Sequence, residues 1–146
     1  MSFAENCIRG IPNRSYLTDE GSVGSHLFSF NKAADRGDGW AELSINWEDD
    51  DCAIEFTLSQ RKADGGFQFK GGAVVIPRPE VDRLNNRPTI RKGLVSYERQ
   101  PLADNPYHGN ILLRANTSKP TMRLIAAGLA LAVSRIVPQK RDSSRS

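Results

Sequence analysis

Ala41-Glu-Leu-Ser-Ile-Asn-Trp47, then Glu48-Asp-Asp-Asp51, then Ile54-Glu-Phe-Thr-Leu58: the fold turns on how this stretch is read. Ala41, Leu43, Ile45 and Trp47 alternate with Glu42, Ser44 and Asn46, the period-two pattern of a strand with one face on a core and one in water. Ile54, Phe56 and Leu58 alternate with Glu55 and Thr57 in the same way. The acidic run between them therefore reads as the tip of a β-hairpin, its carboxylates discouraging other chains from pairing with the sheet.

Upstream, Val23 to Phe30 reads as a further strand, with His26 on the same face as Phe28 and Phe30 and hence as a hydrogen-bonded core histidine. The polar segment Asn31 to Gly39 reads as a loop. Downstream, Asp64-Gly65-Gly66 signals a turn, Phe67 and Phe69 alternate with Gln68 and Lys70, and Ala73 to Ile76 resumes the strand after a bend at Gly71-Gly72. Pro77 and Pro79 interrupt the sheet pattern, and Pro79 to Leu84 predicts a short helix ended by Asn85-Asn-Arg-Pro88. Two more strands follow near Lys92–Arg99 and Asn110–Ala115, joined by a loop from Gln100 to Gly109.

Ser118-Lys119-Pro120 is a helix start, because a serine hydroxyl can accept an early amide and proline is tolerated in the first turn. Pro138 supplies the stop. Ile125, Leu129, Ala132 and Ile136 share one face of the predicted helix, Leu124, Leu131 and Arg135 mark a neighbouring one, and its alanines and Gly128 permit close approach to another element. At about 17 residues such a helix is roughly 25 Å long, enough to cover a sheet face. The elements predict an α+β fold: an antiparallel or mixed sheet of about six strands, a short helix, and a C-terminal helix packed on one face. Residues 1–138 read as a single domain, and residues 139–146 as a basic disordered tail.

Length and composition agree with this. The chain has 146 residues with 38% apolar side chains, the balance of one folded domain rather than of a disordered chain. Cys7 and Cys52 are the two cysteines, far apart and in no metal-knuckle spacing, so a reducing cytoplasm fits better than a disulfide-built exterior. The first residues look like mature protein, with an early acid and no apolar run of signal-peptide length. Leu124 to Val133 is bracketed by Arg123 and Arg135, too short for a membrane span of about 20 residues, so no membrane partner is expected.

Charge is distributed unevenly. Residues 1–73 carry a balance of −5 and residues 74–146 a balance of +8, together the formal +3. The basic side chains Arg78, Arg83, Arg87, Arg91, Lys92 and Arg99 cluster around the short helix and the following strand. They are candidates for binding either an acidic protein surface, including the acidic run of a second copy, or a nucleic-acid backbone. Tyr97 is the one aromatic side chain among them, which weakens an RNA-stacking role.

The most unusual loop is Pro101-Leu-Ala-Asp-Asn105-Pro-Tyr-His-Gly109. Its His108 can act as a general acid or base, since imidazole titrates near neutrality. With Tyr107, and with Tyr97 or Glu98 as further helpers, it would serve a small metal-independent hydrolase or nuclease. The loop matches no family signature. Phosphate-binding glycine loops, dinucleotide fingerprints, nucleophile elbows and zinc-protease helices are absent from the sequence. The acidic run lacks the alternate spacing and turn glycine of a calcium loop. Neither a cofactor nor a metal is expected. These observations predict a non-enzymatic protein-binding or assembly subunit of a cytoplasmic complex, with a nucleic-acid-binding module as the second expectation and a His108 hydrolase as the third.

Overall fold

A computed structural model describes residues 3–30 and 36–140. Along the chain come β1 (Asn6–Ile11), β2 (Trp40–Trp47), α1 (Ala53–Ser59), β3 (Gly72–Pro77), α2 (Arg78–Asn85), β4 (Val95–Arg99), β5 (His108–Arg114), α3 (Lys119–Ala132) and β6 (Arg135–Val137), with 3-10 turns at Arg14–Tyr16 and Ser25–Phe28. The strands form one six-stranded sheet in the order β4-β5-β2-β1-β3-β6. Every neighbouring pair is antiparallel. The fold is α+β.

The alternation in β2 is realised along its whole length. Paired from Trp40↔Arg114 to Asn46↔His108 with β5, it turns Ala41, Leu43, Ile45 and Trp47 into the main core together with Cys7, Ile76 and Ile111. That face is covered by α2, α3 and the turn at Ser25–Phe28. Gly128 of α3 is where α2 comes closest: a Cβ there would lie 2.4 Å from a Leu84 methyl. The opposite face carries Glu42, Ser44 and Asn46, and α1 covers it near Asn46, Ile8 and Ala73, where a smaller cluster forms with Leu58. The sheet is thus roofed on one side and half-open on the other. This difference positions the site.

Several expected strands take another form. Ile54–Leu58 is not the second arm of a hairpin but lies within α1. A seven-residue apolar segment satisfies a helical i, i+4 pattern as well as a period of two, here through Ala53 with Thr57 and Ile54 with Leu58. What decides is burial of Ala53 and Leu58 against Ile8 and Ala73, and the acidic run adds to it locally. Asp50 Oδ1 accepts from Cys52 N at 2.8 Å and starts the helix, carboxylates at a helix N-terminus are favoured by its dipole, and Thr57 Oγ1 closes back on the Ala53 carbonyl at 2.9 Å.

Val23–Phe30 is likewise no strand. Ser25–Phe28 forms a 3-10 turn that buries Leu27 and Phe28, side chains that pack into the main core rather than joining the ladder. His26 is consequently exposed, stacked on Tyr16 with ring centroids 4.4 Å apart, not buried in the core. Of the loop expected at Asn31–Gly39, residues 31–35 lie outside the described residues.

Phe67 and Phe69 lie in a loop, where Phe67 packs beneath the Arg61 guanidinium. The central strand β1 carries no alternation because it is buried on both faces. At the other end α3 stops at Ala132 instead of running to Pro138, and the β-branched Ile136 and Val137 pair with β3. Ser134 holds that crossing, its amide donating to Val75 O at 2.9 Å. Gln139 and Lys140, expected in the disordered tail, are tied down: Gln139 Nε2 donates to Leu58 O and Phe69 O at 2.8 and 2.9 Å. Residues 141–146 of that expected tail lie outside the described residues. Among the described residues no helix is long and apolar enough to cross a membrane.

Candidate functional site

The half-open sheet face contains a cleft because β1 and β2 part company. Their pairing covers only Cys7↔Trp47 and Ile8↔Asn46. Beyond it β1 follows β3 to Ile11 and β2 follows β5 to Trp40, so the sheet forks. Asn6 O accepts from Glu48 N across the β1–β2 seam, and alternation along the strand then turns the backbone groups of Gly10 toward the fork. Arg9 occupies its inner end. Nε donates to Leu27 O at 2.7 Å and Nη1 to Ser44 O at 2.6 Å, so a guanidinium replaces the missing ladder.

Above the fork lies a cavity of roughly 490 Å³. Its floor is Ser44, Asn46 and His108 on neighbouring strands. One wall is the loop after α1, with Gln60, Gln68 and Phe69. The other is the Pro101–Asn105 loop, with Leu102 and Asn105. Phe69 lies flat against bare backbone, since a Cβ on Gly10 would come within 2.2 Å of its ring. Gln139 fixes this wall through its bonds to Leu58 O and Phe69 O.

A carboxamide chain links floor and walls. Asn105 Nδ2 donates to Asn46 Oδ1 at 2.9 Å, and Asn46 Nδ2 donates to Thr57 Oγ1 at 2.8 Å and to Gln60 Oε1 at 3.3 Å. Buried amides satisfied by one another hold fixed orientations. Asn105 also closes its own turn, accepting from Tyr107 N at 3.0 Å through Oδ1. His108 Nδ1 lies 2.9 Å from Gln100 O. A carbonyl only accepts, so Nδ1 carries the proton and Nε2 is the acceptor of the neutral ring.

Carboxylates flank the cleft without neutralising Arg9. Glu42 meets Arg36 at 3.2 Å, and Arg36 also grips Glu98 through two bonds of 2.8 and 2.6 Å. That hydrogen bonding, aided by Asn110, holds the Glu98 carboxyl below its ordinary range against the opposing effect of desolvation. Arg9, by contrast, has no carboxylate within ion-pair distance among the described residues. Burial pushes its guanidinium down to about 10.

Of the residues expected to do chemistry, the structure brings His108 to the cleft and leaves the others elsewhere. Tyr107 packs on Phe56 and donates to Asp50 at 2.9 Å, a contact that raises its hydroxyl's pKa. Tyr97 is on the opposite sheet face, bonded to Asp82 and packed on Trp47. Glu98 is held by Arg36 and Asn110.

The basic set divides in two. Arg78 pairs with Asp82, Arg83 with Glu80 and Arg99 with Asp49, while Arg87, Arg91 and Lys92 are exposed on the α2–β4 connection. Ion pairs also join acids of the first half of the chain to bases of the second: Asp49 to Arg99 and Glu55 to Lys140. The opposite signs seen along the sequence are therefore partly consumed within the fold rather than held apart on its surface. The acidic run is divided among separate partners, Glu48 to Asn6, Asp49 to Arg99 and Asp50 to Tyr107.

Sequence reasoning missed Arg9, Asn46, Gln60, Gln68 and Asn105. Asn105 alone carried a local signal, as an Asn-Pro turn beside His108. The others converge from separate elements. No family model, curated protein or solved structure matches the chain.

Proposed function

We propose that this protein is a non-enzymatic binding subunit that holds an extended segment of a partner protein in the cleft over the β1–β2 fork. The observation carrying this reading is the lining of the cleft. Gln60 and Gln68 bring carboxamides to the edge of a fork into which strand backbone is turned, on a floor and wall held in place by the bonded Asn46 and Asn105. A carboxamide both donates and accepts, as a peptide unit does, and an extended segment presents such groups at regular intervals. Leu102, 45% exposed on one lip, and Phe69 on the other supply apolar contact for alternate side chains. The exposed thiol of Cys52 suits a reducing compartment, and we place the complex in the cytoplasm.

Selection of peptides from a displayed random library, followed by fluorescence polarisation, tests the reading. Selected peptides should lose about tenfold or more in affinity to Leu102→Asp and to Gln68→Ala, two exposed positions where the fold does not depend on the side chain. Failure to enrich any peptide, or undiminished binding by both variants, refutes it.

A second reading rests on Arg87, Arg91 and Lys92, exposed and without an ion pair among the described residues. They could track phosphates. Binding to single- or double-stranded nucleic acid should then weaken as salt rises, and replacing each by Ala should lower the salt slope by roughly one. Absence of binding at low salt removes this reading.

A further inference from the structure

Arg9 is the unusual component of the cleft. A guanidinium offers five N–H donors in a rigid plane. Nε and one hydrogen of Nη1 are used on Leu27 O and Ser44 O. The remaining three have no partner among the described residues, although the group is half-buried and lines the cavity. Carbonyl oxygens orient the guanidinium without cancelling its charge. Arg36 and Arg99, by contrast, meet the carboxylates of Glu98 and Asp49. A partly desolvated cation without a counter-charge gains by pairing with one.

We propose that Arg9 is a carboxylate subsite: the segment bound in the cleft places a carboxylate against the outward Nη1–Nη2 edge. Two parallel N–H···O bonds suit that edge, and the geometry favours a planar carboxylate. The carboxamide of Gln60, whose oxygen alone is engaged by Asn46, then meets the polar atoms beside it. Glu42 lines the same cavity but is occupied by Arg36. Asp104 lies on the exposed loop wall, where it disfavours a ligand carrying a second negative charge. The subsite therefore selects one carboxylate with a neutral or cationic neighbour. This assignment rests on the peptide-binding reading for its biological ligand, but the subsite is testable without any peptide partner.

The probes are N-acetylglycine, with its carboxylate after a peptide bond as at a chain terminus; N-acetylaspartic acid α-amide, with it on a side chain; and neutral N-acetylglycinamide. Each is titrated at constant ionic strength while NMR follows the Arg9 Nε–H and the Gly10 and Ser44 amides. Saturable shifts with at least one acid, and none with the neutral amide, are the expected result, and the stronger acid identifies terminal or side-chain recognition. Arg9→Gln should weaken the effect at least tenfold. Gln68→Glu, which adds a negative charge to the cleft wall and leaves Arg9 in place, should also weaken it, so the test survives if Arg9→Gln fails to fold. Equal shifts from the neutral amide, or linear drift matching that caused by sodium chloride, overturn the proposal. Saturable binding of an acid without any selected peptide would sustain the subsite and remove the peptide reading.

Discussion

Gly10→Ala should loosen the cleft wall and the fold together, because the added methyl carbon would lie 2.2 Å from the Phe69 ring. Carbon atoms in contact sit about 3.5–4.0 Å apart, so ring or strand must give way by more than about 1 Å. Neither moves easily. The Phe69 carbonyl accepts from Gly72 N at 3.1 Å and from Gln139 Nε2 at 2.9 Å, while Gly10 is laddered to Ala73 in the middle of the sheet. Overpacking of this kind costs about 1–3 kcal/mol, and each kcal/mol lowers the melting temperature by roughly 2–4 °C at this chain length. Urea unfolding followed by tryptophan fluorescence reads the change, since Trp47 is fully buried. Phe69→Leu removes the obstructing ring at a smaller cost, and the double variant Gly10→Ala with Phe69→Leu should recover at least about 0.5 kcal/mol relative to additivity. Strictly additive single effects would show that the ring does not rest on Gly10, and the account of the wall would fail with it.

Asn46→Ala leaves Asn105 Nδ2 and Thr57 Oγ1 short of a partner, for a loss of about 1–3 kcal/mol in urea unfolding; a loss below about 0.5 kcal/mol would mean that the carboxamide chain is solvated rather than structural. Glu98 has its carboxyl depressed in the folded state below its ordinary value of 4.5. Its contribution is therefore complete above that unfolded value and is lost as pH falls through the lower folded value. Unfolding measured between about pH 5 and 3 should show a shallower acid limb in Glu98→Gln than in the parent, and parallel limbs would contradict the Arg36–Glu98 assignment. Burial raises the Cys7 thiol from 9.0 to about 12, whereas Cys52 is exposed. A maleimide should thus label Cys52 in the native protein and Cys7 only on unfolding, with mass spectrometry after proteolysis as the readout; equal labelling of both would refute the buried placement.

The local sequence determined those elements whose pattern is carried by their own residues. β2 is legible because one of its faces is wet and the other dry, so alternation appears directly in Ala41 to Trp47. α2 is legible from its prolines, and the start of α3 from Ser118, whose hydroxyl accepts from Thr121 N at 3.4 Å. His108 was legible as a functional candidate because a histidine between turn residues at a strand entry is unusual in itself. β1 was hidden by burial on both faces, and α1 by the fit of seven residues to either period. In each case the deciding partner is distant in sequence: β3 and β2 for β1, and the smaller core around Ile8 for α1.

The cleft belongs wholly to the tertiary structure. Its fork arises because β1 pairs with β2 over only Cys7 and Ile8, a consequence of which strands claim which neighbours and not of any motif. Arg9 reads in sequence as an interruption of an apolar run, and becomes a cation lining a cavity only when the Leu27 and Ser44 carbonyls arrive from elsewhere in the chain. Charge shows the same division. Composition determined the opposite balances of the two halves, but folding decided that Asp49 meets Arg99 and Glu55 meets Lys140, because Coulomb attraction acts through distance in space rather than separation along the chain.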